Sequence, residues 1–448
     1  MTAPRASCAE RRFHIVGLDH PPLAACYNVS GSGRRVVVHG QSVSWDNTNA
    51  LPLFLARDLP RHECATTSHA DADMFIVLPL LPWWTPPVRI IGSPFGNGGP
   101  AECYQWLHQH VTSTREWARS NGTDHLYVHW IGHTLPGVPM WVNGKHNWNA
   151  FKPRQNLGHA VTAINSRLDY DTQAAVIWMY ANGSVASNAS RCNREHMNQL
   201  APQGRKGYVP DLLHGRVGQK APCTIYRIDV GYKHSIALPY LEEKSGGASR
   251  NAVQLGFTER YVLVSGAWGT RTGNQRLREE CASAVQAVPS GMFVDLDPVT
   301  QRLQNGSTSA VREAITVELT ASLGAWNGTL NSLYGASRFC VVPRGDTAAS
   351  KRLQTTMLSG CVPLVCSDHY VLPFASLIDW PRTVLRVPEV GCADAILHVL
   401  PYVDDWQWEQ MHAKVLVAAK QMSYDTTDPS KSSLINNMLH EMARFWRR

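Results

Sequence analysis

The run RFCVVPRGDTAASKRLQTTMLSGCVPLVCSDHYVLPFASLIDW, from Arg338 to Trp380, decides the fold. Phe339 to Val342 is a short apolar segment stopped by Pro343, the length and type of a buried strand. The loop Pro343 to Thr347 holds Gly345 for an unusual backbone angle, with Asp346 and Thr347 as candidate helix caps. Ala348 to Ser359 has helical composition and stops at Gly360. Val362 to Cys366 reads as a second buried strand, and Ser367-Asp368 opens a loop that ends at Leu372-Pro373-Phe374. Strand, polar loop, helix, strand is the βαβ unit of a parallel sheet. Ligands of such sheets sit beyond the carboxyl ends of the strands, often against a helix N-terminus that favours anions. Arg344, Ser350, Lys351 and Arg352 fall at or near that helix start, so the pattern predicts a phosphate site.

Moving outward, the same alternation recurs. Upstream, Arg35 to His39, Asp73 to Leu78 and His125 to Trp130 read as strands, with Ala101 to Arg119 as a helix between the last two. Ala174 to Met179, Thr224 to Val230 and Ile236 to Pro239 complete the first half, and the polar, glycine-rich stretch Asn182 to Gly218 reads as an insertion. Tyr261 to Ser265 opens the second half as a strand ending at Gly266. Helix Gln275 to Val288, strand Met292 to Asp295 and helix Val311 to Leu323 follow. Ala393 to Leu400, Asp405 to Met422 and Ser432 to Arg447 read as terminal helices. The expected division is residues 1–33 as a stem or an edge of the first domain, 34–240 as a Rossmann-like domain, 241–250 as a linker, and 251–448 as a second Rossmann-like domain with the C-terminal helices.

Composition narrows the class. A chain of 448 residues with 44% hydrophobic and 17% charged residues supports two domains with sizeable cores and is not that of a disordered protein. The net charge of +7 comes without a run of Lys and Arg interleaved with aromatics, so no nucleic-acid partner is expected; a diphosphate or an acidic glycan suits the balance equally well. The eleven cysteines show no C-x-x-C pair and no Cys/His ligand spacing, which speaks against a structural zinc site. Six glycosylation sequons begin at Asn28, Asn121, Asn182, Asn188, Asn305 and Asn327 and favour a secretory lumen, where disulfides form. An odd cysteine count leaves at least one unpaired within the chain. No apolar run reaches the ~18 residues of a membrane span, so the chain as given carries no membrane anchor.

The segment resembles the exostosin family of glycosyltransferases. The resemblance is carried by the P-x-G-D-T loop at Pro343 to Thr347, the S-x-R at Ser350 to Arg352, the G-C-V-P at Gly360 to Pro363, Ser367-Asp368, Leu372-Pro373-Phe374, Ile378-Asp379-Trp380 and Glu389. Weaker matches are HADADMFIVLP (His69 to Pro79), SNGTDHLYVHW (Ser120 to Trp130) and RYVLVSG (Arg260 to Gly266) followed by Arg276; the style is closest to plant xylan and xyloglucan members. The resemblance implies an α/β protein of the GT-B type: two facing Rossmann-like domains, with a nucleotide-sugar donor bound by the second and a glycan or glycoprotein acceptor by the first. It implies an inverting transfer from a UDP-sugar, a place in the Golgi lumen or membrane, and scope for a complex with another glycosyltransferase.

By that resemblance Arg352 holds the diphosphate bidentately and offsets the charge that grows on the departing nucleotide. Arg276, Arg344, Gly345, Asp346, Thr347, Ser350 and Glu389 complete the expected donor site, with Asp346 and Thr347 also suited to capping alone. Thr355 departs from the family, which carries an acid one helical turn after the motif arginine to hold the nucleotide ribose. A non-catalytic scaffold that stabilises an active partner is therefore the alternative from another class. An inverting enzyme also needs a general base, and Asp124 and His125 are the candidates, with Asp73 behind them. No metal cofactor is expected, since arginines and helix N-termini neutralise the diphosphate. Asp295-Leu296-Asp297, a D-x-D after an apolar strand, is the motif of a metal-dependent transferase and the lesser alternative.

Overall fold

The computed structural model describes residues 8, 12–20, 23, 29–33, 35–38, 41–44, 51–78, 100–128, 140–142, 145–147, 161–164, 235–241, 255–269, 275–296, 330–344, 349–368 and 370–446. The chain forms two compact units. The first is Met1–His196, Ile225–Glu242 and Ser423–Arg448, the second Met197–Thr224 and Glu243–Met422.

The first unit is built on a parallel sheet. Its strands are β1 (Phe13–Ile15), β5 (Met74–Val77), β6 (His125–Val128), β9 (Val161–Ile164) and β10 (Ser235–Ala237), side by side in that order. Strands β2 (Val29–Ser30), β3 (Arg35–Val38) and β4 (Gln41–Ser44) form a separate antiparallel sheet, and β7 (Met140–Val142) pairs with β8 (Lys145–Asn147). Within residues 1–33, Phe13–Ile15 supplies an edge strand of the parallel sheet. Helix α1 (Leu51–Asp58) follows β4 and is buried along its whole length. The helix expected over Ala101 to Arg119 is two helices, α2 (Pro100–Ser113) and α3 (Arg115–Ser120). Thr112, Ser113 and Thr114 each turn a hydroxyl back onto a carbonyl of α2, and Thr114 leaves helical geometry to accept a bond from Trp117 N. A run of three hydroxyl side chains competes with the helix ladder and ends it.

The second unit has the sheet read from the opening stretch. Strands β11 (Val262–Trp268), β12 (Gly291–Asp295), β13 (Ser337–Pro343), β14 (Val362–Cys366) and β15 (Leu385–Val387) are all parallel, in the order β12-β11-β13-β14-β15. β13 and β14 are covered on both faces, which is why they read as continuous apolar runs rather than alternating ones. Pro363 is tolerated because β15 begins to pair with β14 only at Leu364. Helix α4 (Gln275–Ala287) links β11 to β12, α5 (Leu330–Ala336) precedes β13, and α6 (Arg352–Leu358) links β13 to β14. α6 ends where expected: Gly360 takes φ +73°, Cys361 N reaches Thr356 O and Gly360 N reaches Met357 O, a Schellman stop. α7 (Cys392–His398) and α8 (Asp405–Gln421) follow, and Asp404 and Gln407 form a capping box at the start of α8.

Two differences from the sequence expectation have physical causes. β11 runs past Gly266 to Trp268, because a Cβ at position 266 would lie 2.2 Å from the Trp268 ring and glycine leaves that space open. The last helix, α9 (Ser433–Trp446), belongs to the first unit, although residues 251–448 were expected to form one domain. Tyr424 Oη donates to Asp58 at 2.8 Å, Glu63 N donates to Ser430 Oγ at 2.9 Å, and α9 packs on β10. The expected linker at 241–250 and the elements at 174–179, 224–230 and 311–323 lie almost wholly outside the described residues.

Three disulfides join described cysteines: Cys8–Cys64 in the first unit, and Cys281–Cys392 and Cys340–Cys361 in the second. Cys366 is buried and free. Among the described residues no helix is long and apolar enough to cross a membrane.

Candidate functional site

The chain enters the second sheet at β11, goes outward to β12, and then crosses to the other side of β11 for β13, β14 and β15. The reversal opens a crevice between the carboxyl ends of β11 and β13, the place where open parallel sheets bind ligands. Two guanidinium groups span this crevice. Arg352, the first residue of α6, donates from Nε to Ala267 O at 2.8 Å and from Nη1 to Ser350 Oγ at 3.1 Å. Arg278, buried on α4, donates to Gly269 O at 3.3 Å and to Arg344 O at 3.4 Å. The carbonyl ends of both strands are thereby fixed beside concentrated positive charge, a setting suited to a phosphate.

The neighbouring strand ends are clasped by a buried ion pair. Arg344 Nε lies 3.2 Å from each carboxylate oxygen of Glu389, and the two side chains are only 2% and 4% exposed. Glu389 also accepts from Asp368 N at 3.4 Å, and Glu389 N donates to Asp368 Oδ1 at 2.8 Å. Arg344 N donates to Cys366 O at 3.1 Å. The ends of β13, β14 and β15 are held together by these bonds, so Arg344 and Glu389 shape the edge around Arg352 and grip one another there.

The expected residues therefore separate. Ser350, Arg352, Arg344 and Glu389 come together at the carboxyl edge, while Gly345, Asp346 and Thr347 lie outside the described residues. Thr355 sits one turn into α6, where its hydroxyl donates to Lys351 O at 3.3 Å on its own helix. Arg276 points into solvent and pairs with Glu280 at 2.7 Å on the surface of α4. Asp297 is outside the described residues, so of the D-x-D motif only Asp295 and Leu296 are placed.

Asp124 and His125 need correction as catalytic candidates. They stand at the amino end of β6, opposite to the edge where a parallel sheet binds ligands, and both are buried. His125 Nδ1 lies 2.7 Å from Asp124 Oδ1, and its ring packs against Phe75 and Trp117. Asp124 also accepts from Ser120 Oγ and, at 3.0 Å, from Arg119. Burial pushes the Asp124 carboxyl up, but the bonds from His125, Ser120 and Arg119 outweigh it and hold it below the usual carboxylate range. This cluster braces the turn from α3 into β6. Asp73 likewise accepts from Arg12 N at 2.9 Å ahead of β5.

Arg278 was missed by sequence reasoning, although its signal was present. Leu277, Arg278, Cys281, Ala282 and Val285 share the helical spacing of one buried face, and Arg276 lies off it.

Comparison with known proteins bears on this same region. Residues 229–400 match the Exostosin GT47 domain. An Exostosin-1 homolog of Caenorhabditis elegans is 46% identical over 59 residues, which cover 13% of this chain and 15% of that protein. Exostosin-2 of Homo sapiens is 38% identical over 73 residues, covering 16% of this chain and 10% of its own length. The chain thus spans between a tenth and a sixth of the length of these curated relatives. Among solved structures, the pneumococcal O-GlcNAc transferase GtfA in complex with UDP and GlcNAc aligns over 77% of this chain and 60% of its own, at 10% identity and a TM-score of 0.31.

Proposed function

We propose that this chain, which carries an exostosin GT47 domain across residues 229–400, is a glycosyltransferase. It takes a sugar from a nucleoside-diphosphate donor, a UDP-sugar, and passes it with inversion to a hydroxyl of a glycan or glycoprotein. The observation that carries this reading is the pair of guanidinium groups, Arg352 and Arg278, across the crevice between β11 and β13. As the bond from the anomeric carbon to the diphosphate oxygen breaks, negative charge grows on the nucleotide. A fixed cation at that position stabilises the developing charge without reorganising. Arg352 takes the diphosphate, Ser350 orients it, and the Arg344–Glu389 pair holds the strand ends in register.

In this reading no divalent ion is needed at the donor, so turnover persists in chelator. The three disulfides and the sequons fit a lumenal location such as the Golgi, where another glycosyltransferase could be a partner.

Calorimetric titration of the full chain with UDP, then with a panel of UDP-sugars and Arg352→Ala, tests the site. Charge-assisted bonds to phosphate are worth roughly 1.5–3 kcal/mol, so the variant should lose about 10–150-fold in kcat/KM with its fold intact. Unchanged kinetics in well-folded Arg352→Ala would refute it.

One observation favours a second reading, a scaffold that stabilises an active relative. Thr355, where the family resemblance calls for an acid, spends its hydroxyl on Lys351 O. A scaffold would bind no UDP and would still co-purify with an active relative.

A further inference from the structure

The first unit gathers histidines and carboxylates beside β1. His14, on β1, is 2% exposed. Its Nδ1 lies 3.1 Å from Thr66 O, and a carbonyl only accepts, so Nδ1 carries the proton. Nε2 is then the bare lone pair. It is buried, makes no hydrogen bond, and lies 3.6 Å from Asp19 Oδ1. The other oxygen of the same carboxylate, Asp19 Oδ2, is 3.1 Å from His69 Nε2. A lone pair facing a carboxylate across a short gap is unfavourable unless a proton or a metal ion lies between them.

From this geometry we infer that His14 Nε2, Asp19 and His69 form a binding site for a divalent transition-metal ion of the zinc class.

The spacing fits the ion. Four-coordinate zinc with ligands at about 2.0–2.1 Å places neighbouring ligand atoms roughly 3.3 Å apart. The separations run to the two oxygens of one carboxylate, 3.6 Å to Asp19 Oδ1 and 3.1 Å to Asp19 Oδ2, and one ligand atom from each of the three residues falls within 4.8 Å of the others. The outer partners fit as well. A ligating imidazole ordinarily donates its second nitrogen to a carbonyl or carboxylate, which fixes its tautomer. Thr66 O does this for His14, and Glu116 Oε2 stands 3.8 Å from His69 Nδ1. Two imidazoles with one carboxylate favour zinc and its neighbours over calcium or magnesium, which take oxygen ligands.

The site has an open side, because Asp19 and His69 reach solvent, which leaves a fourth position for water. In sequence the ligands lie on β1, on the turn after it, and ahead of β5. An ion there would tie the edge strand to its neighbour.

The test uses the full-length chain with its disulfides intact, stripped by chelator and titrated with Zn²⁺ by calorimetry and with Co²⁺ by absorption. One equivalent of Co²⁺ should bind with nitrogen–oxygen ligand-field bands and no thiolate charge-transfer band, and Zn²⁺ should displace it. Asp19→Asn and His69→Gln alter partly exposed side chains and should fold; each should weaken binding at least tenfold. Glu116→Gln should weaken it by about 10–100-fold through His69. His14→Gln should abolish it, but the two partly exposed variants decide the matter if that variant fails to fold. Absence of Zn²⁺ uptake by the wild type would overturn the site and reduce the cluster to an ion pair. So would a thiolate spectrum, or affinity unchanged in both Asp19→Asn and His69→Gln.

Discussion

Replacing Glu389 by Gln keeps the shape of the clasp between β13, β14 and β15 and removes its charge. Arg344 would then be a guanidinium at 2% exposure whose partner, 3.2 Å from Nε, no longer neutralises it. Breaking a buried pair from one side costs about 3–5 kcal/mol, because the remaining charge stays desolvated. Two further bonds run through the same residue, Asp368 N to Glu389 Oε1 and Glu389 N to Asp368 Oδ1, so the loss should appear locally. A protein of two units does not promise a single unfolding transition. Hydrogen exchange of the peptides spanning Asp368 and Glu389 is therefore the better assay. Local opening free energy converts directly into protection, and the loss corresponds to an exchange rate raised by roughly 10²–10⁴-fold. The double variant Arg344→Met with Glu389→Leu removes both charges and should recover most of that protection. Exchange in Glu389→Gln within a few-fold of wild type would refute the argument. A double variant whose cost equals the sum of the two single changes would show that the residues are not coupled.

Three further outcomes are expected. A Cβ at Gly291 would stand 1.9 Å from Val285 O, a backbone atom at the end of α4 that cannot rotate away; Gly291→Ala should lower the melting temperature of the second unit by several degrees or more, read by calorimetry. His108 is buried against Tyr127 Oη at 3.1 Å, and burial lowers its pKa from 6.5 to about 4. The unfolded chain takes up the proton first, so the stability this group lends is full above about pH 6.5 and drains away as the pH falls towards about 4. The loss amounts to about 3 kcal/mol at ~1.4 kcal/mol per pH unit. His108→Gln should flatten the melting curve over that window, and an unchanged slope would contradict the assignment. Thr355→Glu should tighten UDP binding by about 5–30-fold if an acid there reaches the ribose, and loss of binding would show that it does not.

β11, β13 and β14 were legible because they are buried on both faces, and continuous apolar runs between Gly, Pro and Asp leave little ambiguity; β15, three residues long and only partly buried, was not read. The helices α4, α6, α7 and α8 were legible to within a few residues at their ends, whereas α5 (Leu330–Ala336) was not read. The sequence misled where a local pattern has two readings. Gly266 looks like a terminator, but it is the space that Trp268 needs, a fact visible only when residues two apart on a strand share a face. Asp124-His125 has the residue types of an acid–base pair, and only sheet polarity shows that it sits at the amino end of its strand. Arg352 and Ser350 were placed at the start of α6 by the strand–loop–helix pattern, whereas Arg278 required asking which face of its helix is buried. His14, Asp19 and His69 have no ligand spacing in the chain, since two of the three are brought near the other only by the pairing of β1 with β5.

The return of the chain at Ser423 bears on the order in which the protein can be made. The first unit includes Met1–His196, yet its helix Ser433–Trp446 is translated after the second unit. Tyr424 and Ser430, which bond to Asp58 and Glu63, leave the ribosome only after the entire second unit has been synthesised. The larger segment of the second unit, Glu243–Met422, can fold before Ser423–Arg448 emerges, while the first unit waits with its β10 surface uncovered. A nascent chain halted before residue 423 would expose that surface to chaperones, and synthesis of Ser423–Arg448 would close it.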